Sequence, residues 1–206
     1  MGQAIVRFEA RYCGGNLQIY NLPKGEGGSS FEVAGVNERY RCEKCSELRT
    51  LINCGEHKEA EQMAADYIVD YTAEVVDFFP ENHNADDYPG IEFVLRDTAF
   101  NRGTKGAAAV LQLALGMGEV DGVIGPRTQA EFGEQLARAN ELLNRLTRAR
   151  EVYERTSYSW KKARRDESSK FWKGLSQRWT QAQTLAGTLA GFRPLSENFE
   201  KIIVDV

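Results

Sequence analysis

The chain has 206 residues, 42% of them hydrophobic and 27% charged, and a net charge of −4. These are the proportions of an ordinary globule long enough to bury a substantial core. No apolar run approaches the ~20 residues of a membrane-spanning helix, so membrane insertion is not expected, and two histidines exclude a three-His metal centre.

Taken in order, Ala4 to Phe8 is an apolar run that delivers Glu9, and Ile5 to Tyr12 fits either the last turns of a helix or a strand. Cys13 to Asn16 is a turn. Leu17, Ile19 and Leu22 alternate with Gln18 and Asn21 around Tyr20, which predicts a strand. Lys24 to Ser30 holds three glycines in four residues and reads as a loop that lets backbone approach a ligand closely. It lacks the lysine and the helix start that phosphate cradling needs. Phe31 to Val36 is a second short strand. A glutamate that ends an apolar element and faces a glycine-rich hairpin is how several sugar-cleaving enzymes present a general acid. The reason is that apolar surroundings raise a carboxyl pKa, so that a proton is still held near neutral pH. By its residues alone Glu9 reads better as a plain surface glutamate of an element edge.

From Arg41 the period becomes helical, with Cys45, Leu48, Leu51 and Ile52 on one face and Cys54-Gly55 as a break. The four cysteines are Cys13, Cys42, Cys45 and Cys54. Cys42, Cys45, Cys54 and His57 have the ligand types of a three-Cys, one-His zinc site. One rigid helix over the stretch would separate Cys42 from Cys54 by ~18 Å, so zinc requires helix breaks, and reduced thiols are the default expectation. The next helix is predicted from about Glu56 to Phe79, on the stripe Ala60, Met63, Ala64, Tyr67, Ile68, Tyr71, Val75 and Phe78. Glu81 to Gly90 is a polar loop, in which His83 reads as exposed and unpartnered.

Ile91 to Phe100 is helical, with Asn101 to Gly103 as its stop and Thr104 as the cap of another helix, Gly106 to Leu115. Pro126 stands at a first helical position. Leu136 to Thr156 and about Asp166 to Leu189 are long amphipathic helices. In the second, Trp172 and Trp179 share a face, a spacing that suits core packing more than sugar stacking. Arg138 to Arg178 carries twelve Lys/Arg against five Asp/Glu, a basic stretch that suits an anionic polymer or a solvated face of mixed charge.

Two pieces then read together. Val120-Asp121-Gly122-Val123-Ile124-Gly125-Pro126-Arg127-Thr128 resembles the signature of peptidoglycan-binding helical modules, and Leu111-Gln112 with Ala114-Leu115-Gly116 fits the same module. Asp97, Ala99, Phe100, Asn101 and Gly103 resemble the segment that precedes the module in glycoside hydrolase family 108, the lysozyme-like muramidases of phages and Gram-negative bacteria. That family begins with Glu-Gly-Gly-Tyr and an Asp-Pro-Gly-Gly loop. Here Glu9-Ala10-Arg11-Tyr12 keeps the Glu and the Tyr, and Gly25-Glu26-Gly27-Gly28 stands in for the loop. Phe171, Gly174, Leu175, Gln177 and Arg178 resemble the family's closing Phe-x-x-Gly-Trp-x-Asn-Arg. Ala10 and Arg11 depart from the motif, replacing both of its glycines.

The resemblance implies a mainly α, lysozyme-like fold with a small N-terminal β-hairpin beside the cleft. It implies a catalytic lobe over 1–88, a peptidoglycan-binding-like lobe over 89–190 and a tail over 191–206. The implied activity is an N-acetylmuramidase with Glu9 as general acid. A second carboxylate activates water or stabilises the transition state: Glu32 is the first choice, then Glu26 and Asp97. Tyr12, Glu26, Asp97, Asn101, Asp121 and Thr128 are the expected substrate-binding residues. Peptidoglycan is the expected partner, with an immunity or carrier protein as a further one. Nucleic acid and a cofactor are not expected. The first residues do not read as a secretory signal, so synthesis in the cytoplasm is expected, followed by action in the periplasm or cell wall after lysis, as for a phage endolysin, or after export as an effector. The rival readings are a non-catalytic wall-binding or interaction module and a zinc-stabilised adaptor.

Overall fold

The computed structural model describes residues 1–22, 31–156 and 170–191. The glycine-rich loop with Glu26, the tail beyond Gly191 and the start of the predicted last helix lie outside them. The protein is mainly α, with a few short antiparallel strands near the N-terminus. Its chain falls into two compact units that divide between Tyr71 and Thr72, so the segment 72–88 goes with the second unit rather than the first.

In the first unit, α1 (Gly2–Glu9) turns Ile5 and Val6 inward and packs on α3 (His57–Tyr71). Its outer edge is tied to α3 by Gln3 with Gln62 at 3.3 Å and by Arg7 with Glu61 at 3.7 Å. The ambiguous stretch 5–12 is therefore helix up to Glu9 and strand from Tyr12. β1 (Tyr12–Cys13) pairs with β2 (Asn16–Leu17) around Gly14 and Gly15. β3 (Tyr20–Asn21) pairs with β4 (Phe31–Val33), which pairs with β5 (Val36–Asn37). The β4–β5 turn is Ala34-Gly35, both at positive φ, 49° and 73°, as a two-residue hairpin of right-handed twist requires. α2 (Cys42–Asn53) buries Cys45 and Leu48, and α3 (His57–Tyr71) buries Ala60, Ala64, Ala65 and Ile68.

The predicted helix to Phe79 stops at Tyr71. Thr72 leaves helical geometry, and Ala73–Phe78 continues as a 3₁₀ segment. The carbonyl and hydroxyl of Thr72 both accept from Arg96 Nη1, at 3.1 and 3.0 Å, a tertiary tie that residue periodicity does not encode.

The second unit is built on α4 (Pro89–Leu115). Every residue from Gly90 to Phe100 is buried, the pattern of a helix surrounded by protein rather than one with a wet face. The predicted stop at Asn101 to Gly103 is present: Gly103 has φ 74° and ψ 166°, so two helical stretches meet across a kink there, in a conformation that side chains with a Cβ avoid. α5 (Pro126–Leu136) and α6 (Ala139–Thr156) follow, and then α7 (Lys170–Leu189). α4 packs on α6 and α7, which also pack on each other. Trp172 and Trp179 are both buried and meet edge to face at 5.6 Å, so they belong to this core. His83 is half-buried, with Nδ1 2.9 Å from Asn82 Oδ1 and its ring against Tyr88, and so does have partners.

Candidate functional site

Glu9 is the last residue of α1 and is half-buried. Ala10 turns the chain to extended geometry while its N–H still bonds Val6 O. The helix thus ends on the carboxylate and hands over at once to a hairpin. Arg11 lays its guanidinium 3.9 Å from the centre of the Tyr20 ring, and Gln18 N–H bonds Arg11 O at 2.9 Å. These contacts fix the residues that replace the two motif glycines.

Three residues past Glu9, the Tyr12 hydroxyl is closed off from solvent and makes no hydrogen bond of ordinary geometry. Burial first, and then the nearby Glu61 carboxylate, push its pKa up to about 12, so the phenol stays protonated. Glu32 sits in the middle of β4, half-buried, opposite Tyr20 on one side and Asn37 on the other.

In the second unit, Asp97 has no exposed surface. Its Oδ2 takes a short bond from Arg150, and its Oδ1 takes one from Arg178 Nη2 at 2.5 Å. Burial alone would raise the carboxyl pKa, but the Arg178 and Arg150 guanidiniums outweigh it and hold Asp97 below the usual carboxylate range. This placement corrects the expectation that Asp97 binds substrate or serves as the second catalytic carboxylate: both oxygens are engaged inside the helical core. Asn101, one turn on, is exposed, and its Nδ2 donates to Asp97 O at 2.8 Å. It lines a small hollow of about 80 Å³ with Thr98, Arg102, Tyr153, Glu154 and Trp179. There Arg102 and Glu154 form a close ion pair.

Asp121 is exposed, and its carboxylate organises its own loop. Oδ1 accepts from Gln112 Nε2 at 2.7 Å and from Val123 N–H at 2.9 Å. These bonds, the Gln112 one foremost, lower its pKa. Gln112 is buried and also holds Val123 O and Gly122 N–H. A Cβ on Gly122 would lie 2.8 Å from Lys105 O, so the loop passes closer to α4 than a larger residue permits. Thr128, in the first turn of α5, is 3% exposed.

The proposed zinc ligands do not converge. Cys42 opens α2 and Cys54 follows its last residue, which puts them ~18 Å apart along the helix. Cys45 is buried and donates to Val36 O at 3.0 Å, and His57 Nδ1 lies 3.1 Å from Leu17 O. Among the described residues no three His, Cys, Asp or Glu side chains come together to hold a metal.

A more open groove of about 390 Å³ runs along α2 and α3, lined by Lys44, Glu59, Gln62, Met63, Asp66 and Tyr67. Neither hollow is lined by Glu9 or Glu32.

Sequence reading missed Arg150. A signal was present: it lies four residues after Leu146 and beside Ala149, on the apolar stripe of α6, and a charge on such a stripe calls for a buried partner.

No protein-family model matches the chain. No curated protein gives a significant match. Among solved structures, the chain is similar to Brucella abortus SagA, with 21% sequence identity, 90% of this chain and 91% of that chain covered, and a TM-score of 0.55. At that identity the likeness concerns the fold.

Proposed function

We propose that this chain is a peptidoglycan hydrolase of the N-acetylmuramidase type. Glu9 protonates the leaving oxygen of the β-1,4 bond between N-acetylmuramic acid and N-acetylglucosamine. A second carboxylate, for which Glu32 is the first choice, activates water or stabilises the oxocarbenium-like transition state. The observation that carries the reading is the placement of Glu9: it ends a helix directly before a hairpin, and the residues around it resemble the opening motif of glycoside hydrolase family 108. The Asp121 to Thr128 segment supports the choice of polymer, since its resemblance is to modules that bind peptidoglycan. The corresponding site of action is the periplasm or cell wall.

One contact favours a second reading, a wall-binding module without hydrolysis. Arg11 and Ala10 stand where the family motif has glycines, and Arg11 is stacked on Tyr20, so the backbone after Glu9 has less freedom than the motif implies. Incubation with purified peptidoglycan separates the two. Release of new reducing ends supports the hydrolase, whereas co-sedimentation without release supports the binding module.

A further inference from the structure

We propose that Cys42 and Cys45 are a redox-active dithiol that closes to a disulfide within the first turn of α2, and that closing withdraws Cys45 from Val36 and loosens the β4–β5 hairpin. The inference does not depend on the hydrolase reading.

Position is the first argument. Cys42 is the first residue of α2 and Cys45 lies one turn on. Residues three apart on a helix have Cβ atoms about 5–6 Å apart, and a disulfide needs about 3.5–4.5 Å. The first turn of a helix has one unanchored end, and it tightens to 3₁₀ geometry more readily than an interior turn.

Asymmetry is the second. Cys42 is exposed while Cys45 has no exposed surface, so one sulfur meets an oxidant and the other waits behind it. Burial, and then Glu38, push the Cys45 thiol up to about 11.

The third is what the thiol holds. Cys45 Sγ–H donates to Val36 O at 3.0 Å. Val36 is the first residue of β5, whose neighbour Asn37 pairs with Glu32. A disulfide has no S–H to donate, so oxidation removes a bond between α2 and the hairpin that carries Glu32.

The oxidant is a low-molecular-weight disulfide of the oxidised-glutathione class. The Cys42 thiolate attacks one of its sulfurs. A Cys42–glutathione bond forms, the S–S bond of the reagent breaks, and one glutathione leaves as a thiolate that takes up a proton. Cys45 then gives its proton to solvent, and its sulfur attacks Cys42 Sγ. The internal bond forms and the second glutathione leaves. Two electrons pass from the dithiol to the reagent, as in ordinary thiol–disulfide exchange.

The test equilibrates the full chain with glutathione buffers of increasing oxidised fraction, blocks remaining thiols by alkylation, and weighs and maps the product. The expected product carries no glutathione on Cys42 or Cys45 and yields a Cys42–Cys45 linked peptide, whatever glutathione the exposed Cys13 and Cys54 take up. In Cys42→Ser, a change at an exposed position, Cys45 should remain alkylatable after unfolding. Hydrogen exchange of the oxidised protein should be at least severalfold faster at the β4–β5 amides than in the reduced protein. Glutathione retained on Cys42, or a linkage through Cys13 or Cys54, overturns the dithiol. Unchanged hairpin exchange on closing overturns the link to Val36.

Discussion

Asp97 gives one carboxylate oxygen to Arg150 and the other to Arg178, and the clamp ties α4 to both α6 and α7. A buried charge is tolerable only when it is paired. Here a single acid with no exposed surface answers two guanidiniums. Removing one partner of such a cluster typically costs about 3–5 kcal/mol, because the others stay buried and uncompensated. Asp97→Asn should therefore lower the unfolding free energy by about that amount in chemical denaturation. Because its folded pKa lies below the unfolded value of about 3.9, the clamp's contribution is complete above that value. It is lost as pH falls through the folded pKa. Melting temperature should thus fall less steeply with acidification in Asp97→Asn than in the wild type.

Ala34 occupies a left-handed conformation at φ 49°, which costs a residue with a Cβ roughly 1–2 kcal/mol. The turn needs positive φ at both of its central positions, and only the second is glycine. Ala34→Gly should raise stability by about 0.5–1 kcal/mol, because relief of strain exceeds the entropy that glycine adds to the unfolded chain. A paired denaturant titration checks the sign.

Gln112 spends its whole side-chain amide on one loop, holding Asp121, Gly122 and Val123 together. Gln112→Ala should destabilise by about 1–3 kcal/mol and speed hydrogen exchange at Gly122 and Val123. Gln112→Glu should do the same or worse, since it places a carboxylate against Asp121. If the Asp121 loop contacts peptidoglycan, both variants should sediment less with purified wall material at equal folded fraction.

The parts of this molecule that follow a local rule were legible in the sequence. Pro126 marked the start of α5 and Gly55 the break after α2; of the expected stripe Leu142, Leu143, Leu146, Ala149, Val152 and Tyr153 in α6, the first four are buried, Tyr153 is half-buried and Val152 is exposed. What depended on distant partners was not. Thr72 ends α3 in contact with Arg96, twenty-four residues on. The same division holds at the candidate site. Glu9 and Tyr12 were singled out by resemblance to a family motif, and they stand at the end of a helix and the start of a hairpin. Asp97 was found by motif, but its role followed only once Arg150 and Arg178 were seen to take both of its oxygens. No sequence spacing announces a clamp that joins three helices.

The most direct test of the proposed activity is the variant Glu9→Gln, which keeps the size of the side chain and removes its transferable proton. Wild type and variant, matched for secondary structure and thermal unfolding, are incubated with purified peptidoglycan, and both reducing-end release and sedimentation are followed. General acid catalysis is typically worth about 10²–10⁴-fold in rate. The account predicts a loss of cleavage of at least that order with wall binding retained. Equal cleavage by the two proteins would contradict the assignment of Glu9, and binding without cleavage by the wild type would contradict the hydrolase itself.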